Sequence, residues 1–265
     1  MHLQRWLTSL VALPLLLLIL LKGSAWMFVL LILIGGVLAH WEYLEMTGMQ
    51  EGWQKRVLGL GLGAVLILSF GSANSLWPTF LLLIAVFVYS VFYLLHYEDF
   101  PALLTELPLC CFGLLYIPFL LGHFIWLRVM PEGQSWLLWL LAIIFSGDTA
   151  AFYVGRTLGK HKLYPAVSPG KTIEGTLGGI LVSGVVGSFL GRWLFPYLYS
   201  TTIVCLTLSV ACIGHFGDLV ESMLKRRAQV KDSGQLLPGH GGLLDRLDSL
   251  LFSGAWMYYY AQFFI

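Results

Sequence analysis

Long apolar runs, broken by short polar stretches, recur along the whole chain. They lie near residues 7–21, 24–41, 57–72, 79–96, 102–127, 135–155, 174–195, 198–220 and 249–265. Most approach the roughly 20 residues that a helix needs to cross a bilayer. The pattern predicts an all-α, polytopic integral membrane protein with about nine transmembrane helices. Pro14, Gly35-Gly36 and Gly178-Gly179 fall inside these runs. Membrane helices tolerate such residues because neighbouring groups re-satisfy the backbone.

The polar positions divide the chain unevenly. Residues 1–140 carry few charges and have short connections at 41–56, 71–78 and 96–101, as expected of hydrophobic scaffold helices. Residues 141–265 hold most of the charge, in two loops at about 156–173 and 221–248. No internal repeat and no segment long enough for a separate soluble domain is evident. The expectation is a single integral membrane domain over 1–265, with 141–265 as its catalytic half.

Composition agrees with this reading. Of 265 residues, 58% are hydrophobic and 11% charged, against about 25% charged in soluble domains. The net charge of +1 is uninformative, but its placement is not. With the N-terminus inside, Arg5, Lys55, Arg56 and the cations of both charged loops are cytoplasmic, against Lys22, Arg128 and Arg192 outside. That is a positive-inside bias. Arg5, the apolar run after it and Gly23-Ser24-Ala25 also have the outline of a secretory leader, although a first transmembrane helix explains the same residues. Cys110, Cys111, Cys205 and Cys212 lie in apolar runs without CxxC spacing, so apolar packing is expected rather than a disulfide framework or a zinc site.

Three places carry candidate chemistry. Asp148 interrupts an apolar run, and a carboxylate inside a span is expensive enough to imply a polar cavity or a structural partner. The first loop contains Ser168-Pro169-Gly170-Lys171-Thr172, a turn leading into the next span. A cation beside a capped helix N-terminus makes an anion site there. Walker A spacing is absent, with Pro165 where its first glycine belongs.

The second loop, SMLKRRAQVKDSGQLLPGHGGLLDRLD over residues 222–248, concentrates cations, carboxylates and glycines. Asp218, Glu221, Ser222 and Lys225 share one face of the helix leading into it. Glu221 and Lys225 also read as an i,i+4 surface pair. Gly241-Gly242 are suited to a phosphate-binding nest. Asp245 and Asp248 fall three residues apart, on one face of the following helix. A Mg²⁺ site of one or two carboxylates plus substrate phosphates fits Asp218 and Asp245. Lys171, Lys225, Arg226, Lys231 and Arg246 supply cations for phosphate-bearing substrates. His240 is a candidate proton donor to phosphate or a loop-shaping residue. The set suits nucleotidyl or phosphoryl transfer, which rests on charge neutralisation and positioning.

At these residues the chain resembles the phosphatidate cytidylyltransferases, also called CDP-diacylglycerol synthases. The resemblance rests on Ser222, Lys225-Arg226, Lys231-Asp232, Pro238, His240-Gly241-Gly242, Asp245-Arg246 and Asp248, and upstream on Gly147-Asp148 and Ser168 to Gly175. It covers residues 140–265 firmly; residues 1–130 match only as apolar helices. It implies cytidylyl transfer from CTP to phosphatidic acid, giving CDP-diacylglycerol and pyrophosphate, with Mg²⁺ and a possible second cation. Asp218 and Asp245 are implied as metal ligands. Lys171, Lys225, Arg226, Lys231, Asp232, His240, Arg246 and Asp248 are implied in catalysis, and Asp148, Ser168, Lys171, Thr172, Ser222, Gly241 and Gly242 in substrate binding. A homodimer in a bacterial inner membrane, with its active face toward the cytoplasm, completes the expectation. Two other readings remain at this point: a CTP-dependent polyprenol-type lipid kinase, and an ion-coupled transporter using Asp148 and Asp218.

Overall fold

The apolar runs are helical over most of their described length in a computed structural model of the chain, which describes residues 14–48, 53–99, 102–236, 239 and 241–265. His240, Pro238 and the beginning of the first apolar run lie outside the described residues. The helices are α1 (described over 14–22), α2 (Ala25–Met46), α3 (Trp53–Ser69), α4 (Trp77–Leu95), α5 (Leu103–Leu114), α6 (Leu120–Val129), α7 (Gly133–Leu158), α8 (Ile173–Leu194), α9 (Ser200–Arg227) and α10 (Leu244–Phe264). A π-helical turn, Leu115–Phe119, joins α5 to α6 and contains Pro118. Proline lacks an N–H and crowds the preceding turn, so a widened turn is the expected accommodation.

Among the described residues, six helical stretches are long and apolar enough to cross a membrane: Ala25–Met46, Trp77–Leu95, Leu103–Val129, Gly133–Leu158, Ile173–Leu194 and Ser200–Arg227. The expected count of about nine is not reached. The run at 57–72 becomes a helix of only 17 residues that begins with Lys55 and Arg56. The run at 249–265 belongs to α10, which opens on Asp245, Arg246 and Asp248 and ends rich in tyrosine. The run at 7–21 is only partly described.

The chain forms two compact units: Met1–Val129 with Val230–Asp245, and Met130–Gln229 with Arg246–Ile265. In the first, small residues meet aromatic rings: Gly122 lies against Phe70, Gly113 against Tyr43 and Gly59 against the Tyr89 hydroxyl. Tyr43, Tyr89, Tyr93 and Tyr116 are all buried. Lys55 is buried too, paired with Glu106 at 2.8 Å, and Tyr93 donates to the same carboxylate at 3.0 Å. Its charge is therefore met inside the unit rather than displayed in a loop, which removes Lys55 as independent support for the topology.

In the second unit, α8 buries Gly175, Gly179, Ser183, Gly187 and Gly191, every fourth residue on one face. Between apolar helices in lipid there is little hydrophobic drive, and small residues allow the close backbone approach that replaces it. α7 uses that stripe. Gly147 lies against Ser183, the Trp139 ring covers Gly191, and Trp139 Nε1 donates to the Gly187 carbonyl at 2.6 Å. The other face of α8 exposes Leu181, Val185 and Phe189, as a lipid-facing surface would. Gly214 and Gly217 of α9 similarly face the backbone of Ser249 and Asp248 in α10.

The described strands are β1 (Lys162–Tyr164) and β2 (Ser168–Thr172), an antiparallel hairpin between α7 and α8. None of the four cysteines forms a disulfide among the described residues. Cys110 is buried within 3.6 Å of the Tyr93 hydroxyl. Cys205 is exposed on α9, so the expected internal packing does not extend to it.

Candidate functional site

Within the second unit, polar groups converge from four elements. Thr172 ends β2 and caps α8, its hydroxyl accepting from the Gly175 N–H at 3.1 Å. That extended residue turns the chain sharply into the helix and leaves Lys171 beside the helix start. Lys171 Nζ pairs with Asp218 Oδ2 at 2.6 Å. Ser222 Oγ donates to Asp218 Oδ1 at 3.3 Å, one helical turn along α9. Arg226 Nε donates to the Val167 carbonyl at 3.1 Å, holding the hairpin turn against α9. Glu174, in the first turn of α8, accepts from the backbone N–H groups of Lys160 and His161 and meets His161 Nδ1 at 2.6 Å. The first charged loop is thus a folded hairpin tied at both ends.

Acidic groups crowd this place. Asp148 from α7 feels the charges of Asp218 and Lys171, and Asp248 from α10 is repelled by Asp218, Glu221 and Asp148. The close approach at Gly217, where an added Cβ would sit 2.6 Å from the Asp248 carbonyl, brings α9 and α10 together. Lys225 pairs with Glu221 at 2.5 Å. The i,i+4 pair is made, but not at the surface: Glu221 is fully buried and Lys225 nearly so. His215, one turn before Asp218, shares a narrow crevice with Gly147, Asp148 and Ser183.

The signature loop from Val230 to Asp245 belongs to the first unit. Asp245 Oδ2 accepts from the Gly242 N–H at 2.8 Å and from the Ser233 N–H at 3.1 Å. The Asp245 N–H donates to Ser233 Oγ at 3.3 Å. Gly241 has φ +83°, a left-handed conformation that suits glycine, and a side chain there would approach Asp245 and Asp232. Glu42 of α2, 1% exposed, accepts from Ser233 Oγ at 3.1 Å and from the N–H groups of Leu243 and Leu244 at 2.9 and 2.8 Å. The N–H groups of Gly242, Leu243 and Leu244 are therefore all committed to carboxylates of the chain itself.

Of the residues singled out from the sequence, the second unit holds Asp148, Ser168, Lys171, Thr172, Asp218, Ser222, Lys225, Arg226, Arg246 and Asp248, and the first holds Lys231, Asp232, Gly241, Gly242 and Asp245. His240 lies outside the described residues. Sequence reasoning missed Glu42, Ser233 and His215. Glu42 had the same signal as Asp148, an acid next to an apolar run, but it was assigned to a connection because the run was ended at residue 41. α2 continues to Met46.

Carboxylate oxygens are the donors that a hard divalent cation takes. Carboxylate oxygens of Asp148, Asp218 and Asp248 repel one another while Lys171 offsets only part of their charge. Among the described residues no three His, Cys, Asp or Glu side chains are grouped so as to hold a metal ion by themselves. Mg²⁺ commonly completes such a partial set with water and substrate phosphates.

A sequence model described as the cytidylyltransferase family matches residues 3–264. The chain is 34% identical over 269 residues to a phosphatidate cytidylyltransferase of Bacillus subtilis, covering 98% of each chain. It is 34% identical over 251 residues to one from Staphylococcus saprophyticus, covering 94% of each. It is 41% identical over 143 residues to one from Staphylococcus epidermidis, covering 54% of each.

Proposed function

Because the chain belongs to the cytidylyltransferase family, we propose that it transfers the cytidylyl group of CTP to phosphatidic acid, giving CDP-diacylglycerol and pyrophosphate for phospholipid synthesis. It is a multi-pass membrane nucleotidyltransferase. The observation that carries the chemistry is the gathering of Asp148, Asp218, Glu221 and Asp248 with Lys171 and Lys225 from α7, α9, α10 and the β-hairpin. A transporter has no need of a folded cationic hairpin there.

A phosphatidic acid phosphate is already ionised near neutral pH, so its oxygen can attack the α-phosphorus of CTP without a protein nucleophile or a strong base. The bond from the α-phosphorus to the bridging oxygen breaks, and pyrophosphate leaves with the electron pair. The protein's work is positioning and neutralisation. Lys171, Lys225, Arg226, Lys231 and Arg246 are the cations assigned to the phosphates. Gly242, Leu243 and Leu244 have committed N–H groups, so neutralisation falls to side chains more than to the loop backbone. Gly241 is assigned to phosphate approach, Gly242 contributes by letting the loop pack on Ser233 and Glu42, and Asp148, Ser168, Thr172 and Ser222 are assigned to the binding surface. Asp232 and Asp248 are assigned to orienting cations, and His240 to the leaving pyrophosphate.

Mg²⁺ is assigned to the carboxylates of Asp218 and, in the signature loop, Asp245, with room in the acidic set for a second cation. When bound it would withdraw charge from the reacting phosphates. Lys171 and Ser222 hold Asp218 in place by their contacts with its two oxygens. Ser233 and Gly242 hold Asp245. A homodimer in a bacterial inner membrane, its charged loops facing the cytoplasm, completes the proposal. The bacterial source of the relatives supports the bacterial membrane, and the positive-inside bias supports the orientation.

The test is lipid labelling by purified protein in detergent with phosphatidic acid, Mg²⁺ and CTP carrying label on either the α- or the γ-phosphate. Label entering lipid only from the α-position is the expected result. Label entering only from the γ-position would overturn it in favour of a CTP-dependent lipid kinase, and no transfer from folded protein would reject both.

A further inference from the structure

Glu42 is a second acidic anchor that belongs to a helix with no other expected part in the chemistry. We propose that Glu42 is a positioning residue for the reaction: it holds Ser233 and residues 242–245 of the signature loop in their working arrangement. The proposal rests on the function assigned above for its kinetic readout, but not for its structural one.

The geometry is unusually complete for one side chain. Oε1 accepts from the Leu243 N–H at 2.9 Å; Oε2 accepts from the Leu244 N–H at 2.8 Å and from Ser233 Oγ at 3.1 Å. Leu244 is the first residue of α10, so Glu42 supplies from another part of the chain the capping anion that a helix start lacks. Through Ser233 the effect reaches Asp245. Ser233 Oγ accepts from the Asp245 N–H, and the Ser233 N–H donates to Asp245 Oδ2. The loop is built around the carboxylate. An added Cβ at Gly234 would lie 2.5 Å from Glu42 Oε1, and one at Gly242 would lie 2.6 Å from Oε2. These two glycines leave the volume that Glu42 fills.

A carboxylate that is 1% exposed persists only where hydrogen bonds replace its water. Here every bond described comes from the signature loop. Removing it strands two helix-start N–H groups and a serine hydroxyl, so the loop should loosen where Asp245 is held. Outer partners that orient a ligating side chain typically contribute about tenfold to a hundredfold to activity.

The experiment uses the full chain purified in detergent, with Glu42→Ala, Glu42→Gln, Ser233→Ala and, as a control, Glu45→Gln on the exposed side of α2. Two readouts are taken: amide hydrogen exchange, and kcat and KM for CTP and phosphatidic acid. Glu42→Ala should speed exchange about tenfold or more at residues 242–244, as expected for lost buried hydrogen bonds, while α7 to α9 keep their protection. Its kcat should fall about tenfold to a hundredfold with KM values little changed. Glu42→Gln keeps one acceptor oxygen but turns an NH₂ toward a second donor, so it should fall between. Ser233→Ala should give a smaller change of the same sign, and serves if the Ala variant does not fold. Glu45→Gln should match the wild type.

Unchanged loop exchange in both Glu42 variants, or a loosened loop with unchanged kcat, would overturn the proposal. So would exchange rising equally throughout the chain, which would mark a general stability role. Failure of the wild type to label lipid would instead reject the assigned reaction, and the exchange pattern would then decide by itself whether Glu42 holds the loop.

Discussion

Lys171 and Asp218 meet at 2.6 Å, joining the end of a β-hairpin to the middle of a membrane helix. Both side chains are about one-quarter exposed, although the Lys171 Nζ itself is shielded from solvent. An arrangement of this kind gives up part of its mutual attraction when phosphate arrives for the lysine and a cation for the aspartate. In the proposed reaction this contact would hold a phosphate-binding lysine and a cation-binding aspartate at a set distance.

Replacing Asp218 by Asn should lower kcat by about two to three orders of magnitude, the scale for losing a group that stabilises the transition state. Lys171→Met should also lower activity. Its stability cost should stay near 1 kcal/mol or less, because a partly exposed pair contributes little net energy. Initial rates and thermal melting in the same detergent would check both, and a Lys171→Met protein with wild-type activity would return this lysine to a structural role.

Asp245→Asn should retain the fold yet lose most turnover. The amide oxygen can still accept from Ser233 and Gly242, while the charge proposed to meet Mg²⁺ is gone. A Mg²⁺ titration of the rate is the sensitive measurement. The variant should need more Mg²⁺ for its residual activity, and an unaltered Mg²⁺ dependence would remove Asp245 from the metal assignment.

Lys225→Met should be more damaging to stability than Lys171→Met, by about 3 kcal/mol or more, because it leaves the fully buried Glu221 without its ion-pair partner. Adding Glu221→Gln should restore much of the loss. A double-mutant cycle on unfolding measures the coupling directly; additive effects would mean that the close contact carries no energy.

The glycine stripe on α8 makes a prediction independent of chemistry. Gly191→Ala places a methyl group into the Trp139 ring, and overpacking of this kind costs about 1–3 kcal/mol. Gly61→Ala meets nothing within 4 Å and should be neutral or slightly stabilising, since glycine weakens a helix interior by roughly 0.5–1 kcal/mol. Melting temperatures of the two variants, compared with the wild type, test the packing account.

Much of this protein was legible in its residues. Apolar runs of spanning length determined the helices, because a backbone in hydrocarbon must satisfy itself within the segment. Composition placed the chain in a membrane, and the spacing from Ser222 to Asp248 marked the family. The cap at Thr172 was also readable, since it is local; the turn expected at Ser168-Pro169-Gly170 falls instead at residues 165–167, and Ser168–Thr172 pairs as a strand.

What the tertiary structure decided is which charges meet. Periodicity located Asp218 and Lys171 but could not pair them, because their contact joins segments far apart in sequence. It suggested that Gly242 offers its N–H to phosphate, whereas that N–H is bound by Asp245. It read Lys55 as a loop cation and Glu221 as a surface acid, yet both are buried in ion pairs. It passed over Glu42, whose importance is visible only when the loop from Ser233 to Leu244 is seen around it. The physical reason is common to all of these. Spanning segments follow from hydration of the local chain, which sequence records residue by residue. The partner of a buried charge depends on which other group supplies the hydrogen bonds that water no longer can, and that is settled only when distant segments pack.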